Sequence, residues 1–145
     1  MLRDFSSIEI KGQCGSGTFG MVYKGVDKDS GDLVALKKIK MENEHQGFPI
    51  TAIREIKILK VLKHPNIVFL REIIACSEEI DERFKSGDIF MVFEYVDYDL
   101  AGLLGSDDVI LSPDHIRCYA KQLFEGVYYM HKNNILHRDL KVRRF

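Results

Sequence analysis

The sequence predicts an α+β fold, with a five-stranded antiparallel sheet carrying one helix after its third strand, followed by the first helices of a second, mainly helical part. Three observations carry this reading. Short runs rich in β-branched and aromatic residues fill most of the first part of the chain. An apolar residue at every third position interrupts them after Pro49. A long amphipathic stretch opens behind Ser112-Pro113. Together they place residues 1–96 in a sheet-bearing domain and 97–145 at the start of a helical one.

The elements follow in order. Residues 5–13 form a strand that runs into a glycine-rich turn, and Met21-Val22-Tyr23-Lys24-Gly25-Val26 forms the second. Asp29-Ser30-Gly31 is a turn signal, and Leu33 to Ile39 is the third strand of this meander. Ile50, Ile53, Ile56, Leu59 and Leu62 then mark a helix with Pro49 at its first position, ending near His64-Pro65. Two strands follow, around Ile67–Ile74 and Asp88–Tyr95, joined by a polar connection. Beyond Asp99 the pattern is helical. Ile116, Ala120, Leu123, Val127 and Met130 line one face of a helix that ends near Asn133-Asn134.

Composition bounds the function. A chain of 145 residues with 46% apolar and 30% charged residues has room for about one folded domain. Its formal net charge of −1, with Lys and Arg spread along it, argues against nucleic acid or an anionic membrane as the main partner. Cys14, Cys76 and Cys118 form no CxxC pair, so neither a disulfide framework nor a zinc site is indicated. The first ten residues lack a signal-peptide core, and no run of about eighteen apolar residues occurs. Secretion and membrane insertion are therefore not expected.

Three motifs carry chemistry. Gly15-Ser16-Gly17-Thr18-Phe19-Gly20 has GxGxxG spacing, which lets backbone amides approach phosphate oxygens. A dinucleotide-binding turn requires a helix directly after the glycines, whereas a strand follows here, so a hairpin over phosphates fits better. Alone, the motif reads equally well as a plain turn. Lys37 stands on the third strand, where it could reach phosphates beneath that hairpin, although a lone strand lysine is usually only solvated. Glu55, mid-helix between apolar neighbours, could pair with it and aim its ammonium group. Finally, His137-Arg138-Asp139-Leu140-Lys141 places an aspartate and a lysine two residues apart. That pair suits a base for a hydroxyl proton and a cation that steadies a moving phosphoryl group.

Taken together, in this order and in these elements, the signals resemble the protein kinase set of glycine loop, strand lysine, helix glutamate and HRDLK catalytic loop. The string GFPITAIREIKIL is similar to the PITAIRE helix of the transcription-associated cyclin-dependent kinases, which pair with cyclin K and phosphorylate the repetitive tail of RNA polymerase II. The likeness spans about Asp4 to Lys141, roughly half of a catalytic domain in that family.

The resemblance implies a site, residue by residue. Cys14, Gly15, Ser16, Gly17, Thr18, Gly20 and Val22 would cover ATP, and Ala35 would touch adenine. Phe93 resembles the gatekeeper. The backbones of Glu94 and Val96 would hydrogen-bond adenine, and Asp99 would meet the ribose. Lys37 and Glu55 would form the activating ion pair, with Asp139 as the base and Lys141 beside it. Arg54 and Arg138 resemble the arginines that receive an activation-loop phosphate. The helix from Pro49 to Leu62 would face a cyclin K-like cyclin, and a protein would be the substrate. Nuclear location is likewise implied.

The sequence also departs from the family pattern. Cys14 replaces an aliphatic residue, Phe19 stands where relatives often carry a phosphorylatable tyrosine, and Arg144 occupies the place of the metal-binding asparagine. The DFG aspartate is not reached. Mg2+ would serve the complete enzyme, but no metal ligand is expected among these residues, and alone they are expected to lack phosphotransfer activity. Three readings stay open here. The chain is the ATP-binding portion of a serine/threonine kinase, an inactive cyclin-binding competitor, or a non-functional incomplete product.

Overall fold

The structure, a computed structural model, describes residues 2–17, 20–41 and 47–140. The chain divides into two compact units, Met1–Val61 with Phe69–Tyr95, and Leu62–Val68 with Val96–Phe145.

The first unit is built on a six-stranded sheet. Its strands are β1 (Arg3–Asp4), β2 (Ile8–Gly17), β3 (Gly20–Asp27), β4 (Leu33–Lys38), β5 (Leu70–Ala75) and β6 (Ile89–Glu94), in the spatial order β1-β5-β6-β4-β3-β2. One helix, α1 (Ile50–Val61), lies between β4 and β5 in the chain. The α+β expectation holds, with one strand more than expected. The extra strand is the two-residue β1, which pairs parallel with β5 while every other pair is antiparallel. Its length gives no alternation to detect. A single 3-10 turn, Phe5–Ser7, separates it from β2, capped by the Asp4 carboxylate, which accepts from the Ser6 amide at 2.8 Å.

Alternation along the strands sends side chains to two faces. On one face Tyr23, Val34, Leu36, Ile74, Phe90 and Val92 are fully buried, packed with Phe5, Ile8 and Phe84. Aromatic rings dominate this cluster, with the Phe5 and Phe90 ring centroids 4.7 Å apart and those of Tyr23 and Phe84 4.9 Å apart. On the other face Ile39, Leu70 and Met91 pack with Ala52, Ile56 and Leu59 of α1. The spacing 52, 56, 59 is the helical period that α1 turns to the sheet. Ile50 and Ile53 of the expected stripe remain exposed. The helix stops at Val61, and the Pro49 carbonyl accepts its first bond, from the Ile53 amide.

Two β-bulges interrupt β2. Its register against β3 skips Lys11 and then Cys14. Each extra residue reverses the side-chain alternation, so Ile8 and Ile10 lie on the aromatic face and Gly15 lies on the α1 face opposite Val22.

An ion cluster ties the unit's ends together. The Arg3 guanidinium donates to both oxygens of Asp27, at 2.7 and 2.8 Å, to Glu72 at 2.7 Å and to Asp29 at 2.5 Å. Asp27 is buried, and the Arg3 guanidinium beside it holds its carboxyl well below the usual carboxylate range.

The second unit contains α2 (Leu100–Gly105) and α3 (Pro113–Lys132), with the segment Leu62–Val68 packed onto α3. The Ser112 hydroxyl accepts from the His115 amide at 3.2 Å, and the His115 ring accepts from the Ser112 amide, closing a capping box with Pro113 behind it. The Lys63 amide donates to the Tyr129 hydroxyl at 3.4 Å, and Asn66 donates to Glu125 at 3.1 Å. At Gly126 the segment packs tightly on the helix, since a Cβ there would lie 3.1 Å from the Asn66 carbonyl oxygen. Of the expected apolar face of this helix, Met130 is buried and Val127 half-buried, whereas Ile116 and Leu123 are exposed.

Candidate functional site

The predicted residues of the first unit fall on one row across the sheet. Gly15 pairs with Val22, Val22 with Lys37, and Lys37 with Met91. Opposed residues in antiparallel strands share a face, so the glycine hairpin, Val22 and the lysine all address the α1 side. The next row on that face is Lys24, Ala35 and Phe93. Val22, Ala35 and Phe93 are half-buried, giving an apolar strip beside the lysine.

Lys37 and Glu55 meet. The Lys37 ammonium donates to Glu55 Oε1 at 2.7 Å, with the lysine side chain 20% exposed and the carboxylate 40% exposed. Glu55 reaches it because Ala52, Ile56 and Leu59 fix the rotation of α1 on the sheet and turn position 55 toward β4. Buried Met91 lies across the strand pair from Lys37.

Gly20 is positioned by its conformation. Its φ of +124° lies outside the range most residues adopt, and a Cβ there would stand 2.5 Å from the Lys38 carbonyl oxygen. Ser16 and Gly17 pair through the backbone with Met21 and Gly20 and complete the ladder of the hairpin. Cys14 occupies the second bulge, exposed, with its thiol toward the Val22 carbonyl at 3.5 Å. Thr18 and Phe19 lie outside the described residues, as do Lys141 and Arg144. Glu94 ends β6 with an exposed side chain.

The remaining predicted residues belong to the second unit. Val96 is exposed, and Asp99 caps α2 through Oδ1, which accepts from the Gly102 amide at 2.5 Å. Asp139 is exposed, and its amide donates to His137 Nδ1 at 3.3 Å. Arg138 before it takes φ +65°, a left-handed conformation that L residues adopt at some cost.

Local patterns did not reveal two features near the row. One is Met91 opposite Lys37. The other is Lys24, whose ammonium stands 4.1 Å from the centroid of the Tyr95 ring. Strand register brings the first pair together, and the second forms between β3 and the residue just past the end of β6.

A sheet bearing a glycine hairpin, a strand lysine and a helix carboxylate in ion-pair contact defines a protein kinase fold, and the protein kinase domain family matches residues 8–143. The chain belongs to that family. Its relatives are cyclin-dependent kinases and their kin. It is 51% identical over 140 residues to serine/threonine-protein kinase bur1 of Emericella nidulans, covering 97% of this chain and 25% of the relative. It is 47% identical over 146 residues to cyclin-dependent kinase C-2 of Arabidopsis thaliana (96% and 28%), and 48% identical over 140 residues to cyclin-dependent kinase 9 of Danio rerio (95% and 37%). The chain thus spans between about a quarter and two-fifths of the length of these relatives.

Proposed function

We propose that this chain is the ATP-binding portion of a cyclin-dependent serine/threonine kinase that transfers the γ-phosphoryl group of ATP to protein hydroxyls. The Lys37–Glu55 ion pair, on the row beneath the Gly15–Gly20 hairpin, carries the reading. The residues suit the nucleotide. Gly15 brings no side chain over Val22, the strip of Val22, Ala35 and Phe93 offers an apolar bed for a base, and Lys37 supplies a held cation for phosphate oxygens. The backbones of Glu94 and Val96 are assigned to adenine and Asp99 to ribose. Asp139 is the proposed base, with Lys141 beside it.

Mg2+, when bound with ATP, neutralises charge on the phosphates. Among the described residues no group of three His, Cys, Asp or Glu side chains could hold a metal ion, so no ligand is assigned to it.

The partner we propose is a cyclin, of the cyclin K type, seated on the exposed face of α1. That face presents Ile50 at 65% exposure, with Ile53, Ile58 and Val61. Exposed aliphatics in one stripe are what a partner surface would bury. The proposed substrate is the RNA polymerase II tail, and the proposed location is the nucleus. No helix among the described residues is long and apolar enough to cross a membrane.

The test is binding of a fluorescent ATP analogue to the purified protein. Lys37→Met should weaken it about tenfold or more, the scale of a lost charge-assisted contact. Equal affinity in the two proteins would sink the assignment of Lys37. For the cyclin, Ile53→Glu should abolish co-purification with cyclin K while leaving nucleotide affinity unchanged.

A further inference from the structure

We infer that the first unit carries a second binding site, a peptide-docking cleft on the aromatic face of the sheet, opposite the face that holds Lys37. A cavity of about 320 Å³ opens there between the start of β2 and the turn Ile80–Phe84. Its floor is Phe5, Ile8 and Phe84, all buried, with Ile10 half-buried beside them. Ile80 forms one wall and is 57% exposed. The volume lies at the small end for binding pockets and suits one or two side chains.

The cleft is formed by fixed backbone. The Ile80 amide donates to the Phe84 carbonyl at 2.9 Å, and the Phe84 amide donates back to the Asp81 carbonyl at 3.0 Å. Lys38 anchors the same loop by donating to the Arg83 carbonyl and to Asp88. A preformed cleft binds without the cost of ordering it.

Charge at the mouth selects the occupant. Arg83 and Asp81 neutralise each other, with guanidinium-to-carboxylate distances from 2.6 to 3.3 Å. Lys28, also on the rim, donates at 2.6 Å to the Ser6 carbonyl, a neutral acceptor, and forms no ion pair among the described residues. The nearby carboxylate of Glu9 is engaged by Lys11 at 2.6 Å. Lys28 thus acts on Glu9 only through space and has no carboxylate in contact among the described residues, and an apolar floor beside such an ammonium calls for an apolar group followed by a carboxylate.

Strand topology makes that occupant an extended peptide. β2 supplies Ile8 and Ile10 to the floor and is an edge strand, hydrogen-bonded to β3 alone. Its outer N–H and C=O groups have no strand partner among the described residues, which is the template for strand addition. The proposed ligand is therefore a protein segment in extended form. It places a leucine- or phenylalanine-sized side chain against Phe5, Ile8 and Phe84, and an adjacent aspartate or glutamate at Lys28.

Fluorescence anisotropy of the whole protein with fluorescein-labelled Gly-Thr-Leu-Asp-Thr tests this. We expect saturable binding that weakens about tenfold in Lys28→Glu, the equivalent of about 1.4 kcal/mol, and is lost in Ile80→Glu. Both positions are exposed, and far-UV circular dichroism should be unchanged. Exchanging Asp for Lys in the peptide should reverse the preference, so that the Lys28→Glu protein binds it better than wild type does. No saturation by about 1 mM, or equal affinity in wild type and both variants, overturns the proposal. So does equal binding of a peptide with Asp replaced by Asn.

Discussion

Arg3→Ala should unfasten the first unit far more than a change near a chain end ordinarily does. Arg3 meets three carboxylates, and one of them, Asp27, keeps only 6% of its side-chain surface exposed. Without the guanidinium, Asp27 retains the Asp29 amide at 3.0 Å as a donor but loses both of its charged contacts. Stranding one member of a buried pair costs about 3–5 kcal/mol. The Arg3 side chain is 26% exposed, so water replaces part of the contact, which puts the expectation near about 3 kcal/mol. Native-state hydrogen exchange at the amides of β3 and β4 reads this directly.

The pH dependence supplies a second arm. The native Asp27 carboxyl is depressed by Arg3, so its stabilising contribution is full above the unfolded value of about 3.9. It is lost as pH falls through the lower native value. The gap between wild type and Arg3→Ala should therefore be widest at neutral pH and narrow steadily as pH falls below about 3.9. The Asp4 carboxyl, also depressed by the side chains of Ser6 and Ser77 and then by their amides, is common to both proteins and cancels. A neutral-pH difference under about 0.5 kcal/mol would refute the reasoning, since surface changes stay within that range. A gap that persists unchanged into acid would refute it as well.

Other positions give sharper local tests. Phe84→Ala removes a ring packed on Phe5 and Tyr23 and should cost about 3–5 kcal/mol in urea unfolding; a loss under about 1 kcal/mol would mean that the aromatic cluster is not packed as described. Gly20→Ala meets both a positive φ and the Lys38 carbonyl, and should destabilise the β2–β3 hairpin by about 1–3 kcal/mol, seen as faster exchange at Val22 and Tyr23. Ser112→Ala deletes the acceptor for the His115 amide and should cost about 1 kcal/mol of α3 stability, read as an earlier loss of ellipticity on heating.

Legibility in the sequence followed the range of the interaction. The Ser112 cap was visible because everything it needs lies within three residues. Five of the six strands were visible through alternation and turn residues. Lys37 and Glu55 were legible only as parts of a family pattern, since nothing local ties position 37 to position 55. β1 was not legible, because two residues show no period and its partner lies some seventy positions away in β5. Nor were the bulges at Lys11 and Cys14, which exist only relative to β3. The end of α1 falls short of the expected His64-Pro65 for a similar reason. Leu62 continues the apolar spacing, yet the chain leaves the helix at Val61 and Leu62–Val68 packs with α3.

That segment has a consequence for how the protein is made. The polypeptide passes between units three times, at 61/62, 68/69 and 95/96. Asn66 emerges during synthesis long before its partner Glu125, 59 residues later. A nascent chain can complete the sheet while this short stretch still waits, exposed, for the helix that will cover it. Its fate on the ribosome is thus set by residues not yet translated. A premature stop before Pro113 would leave an intact sheet bearing an undocked loop, a mark by which protein quality control could recognise the unfinished product.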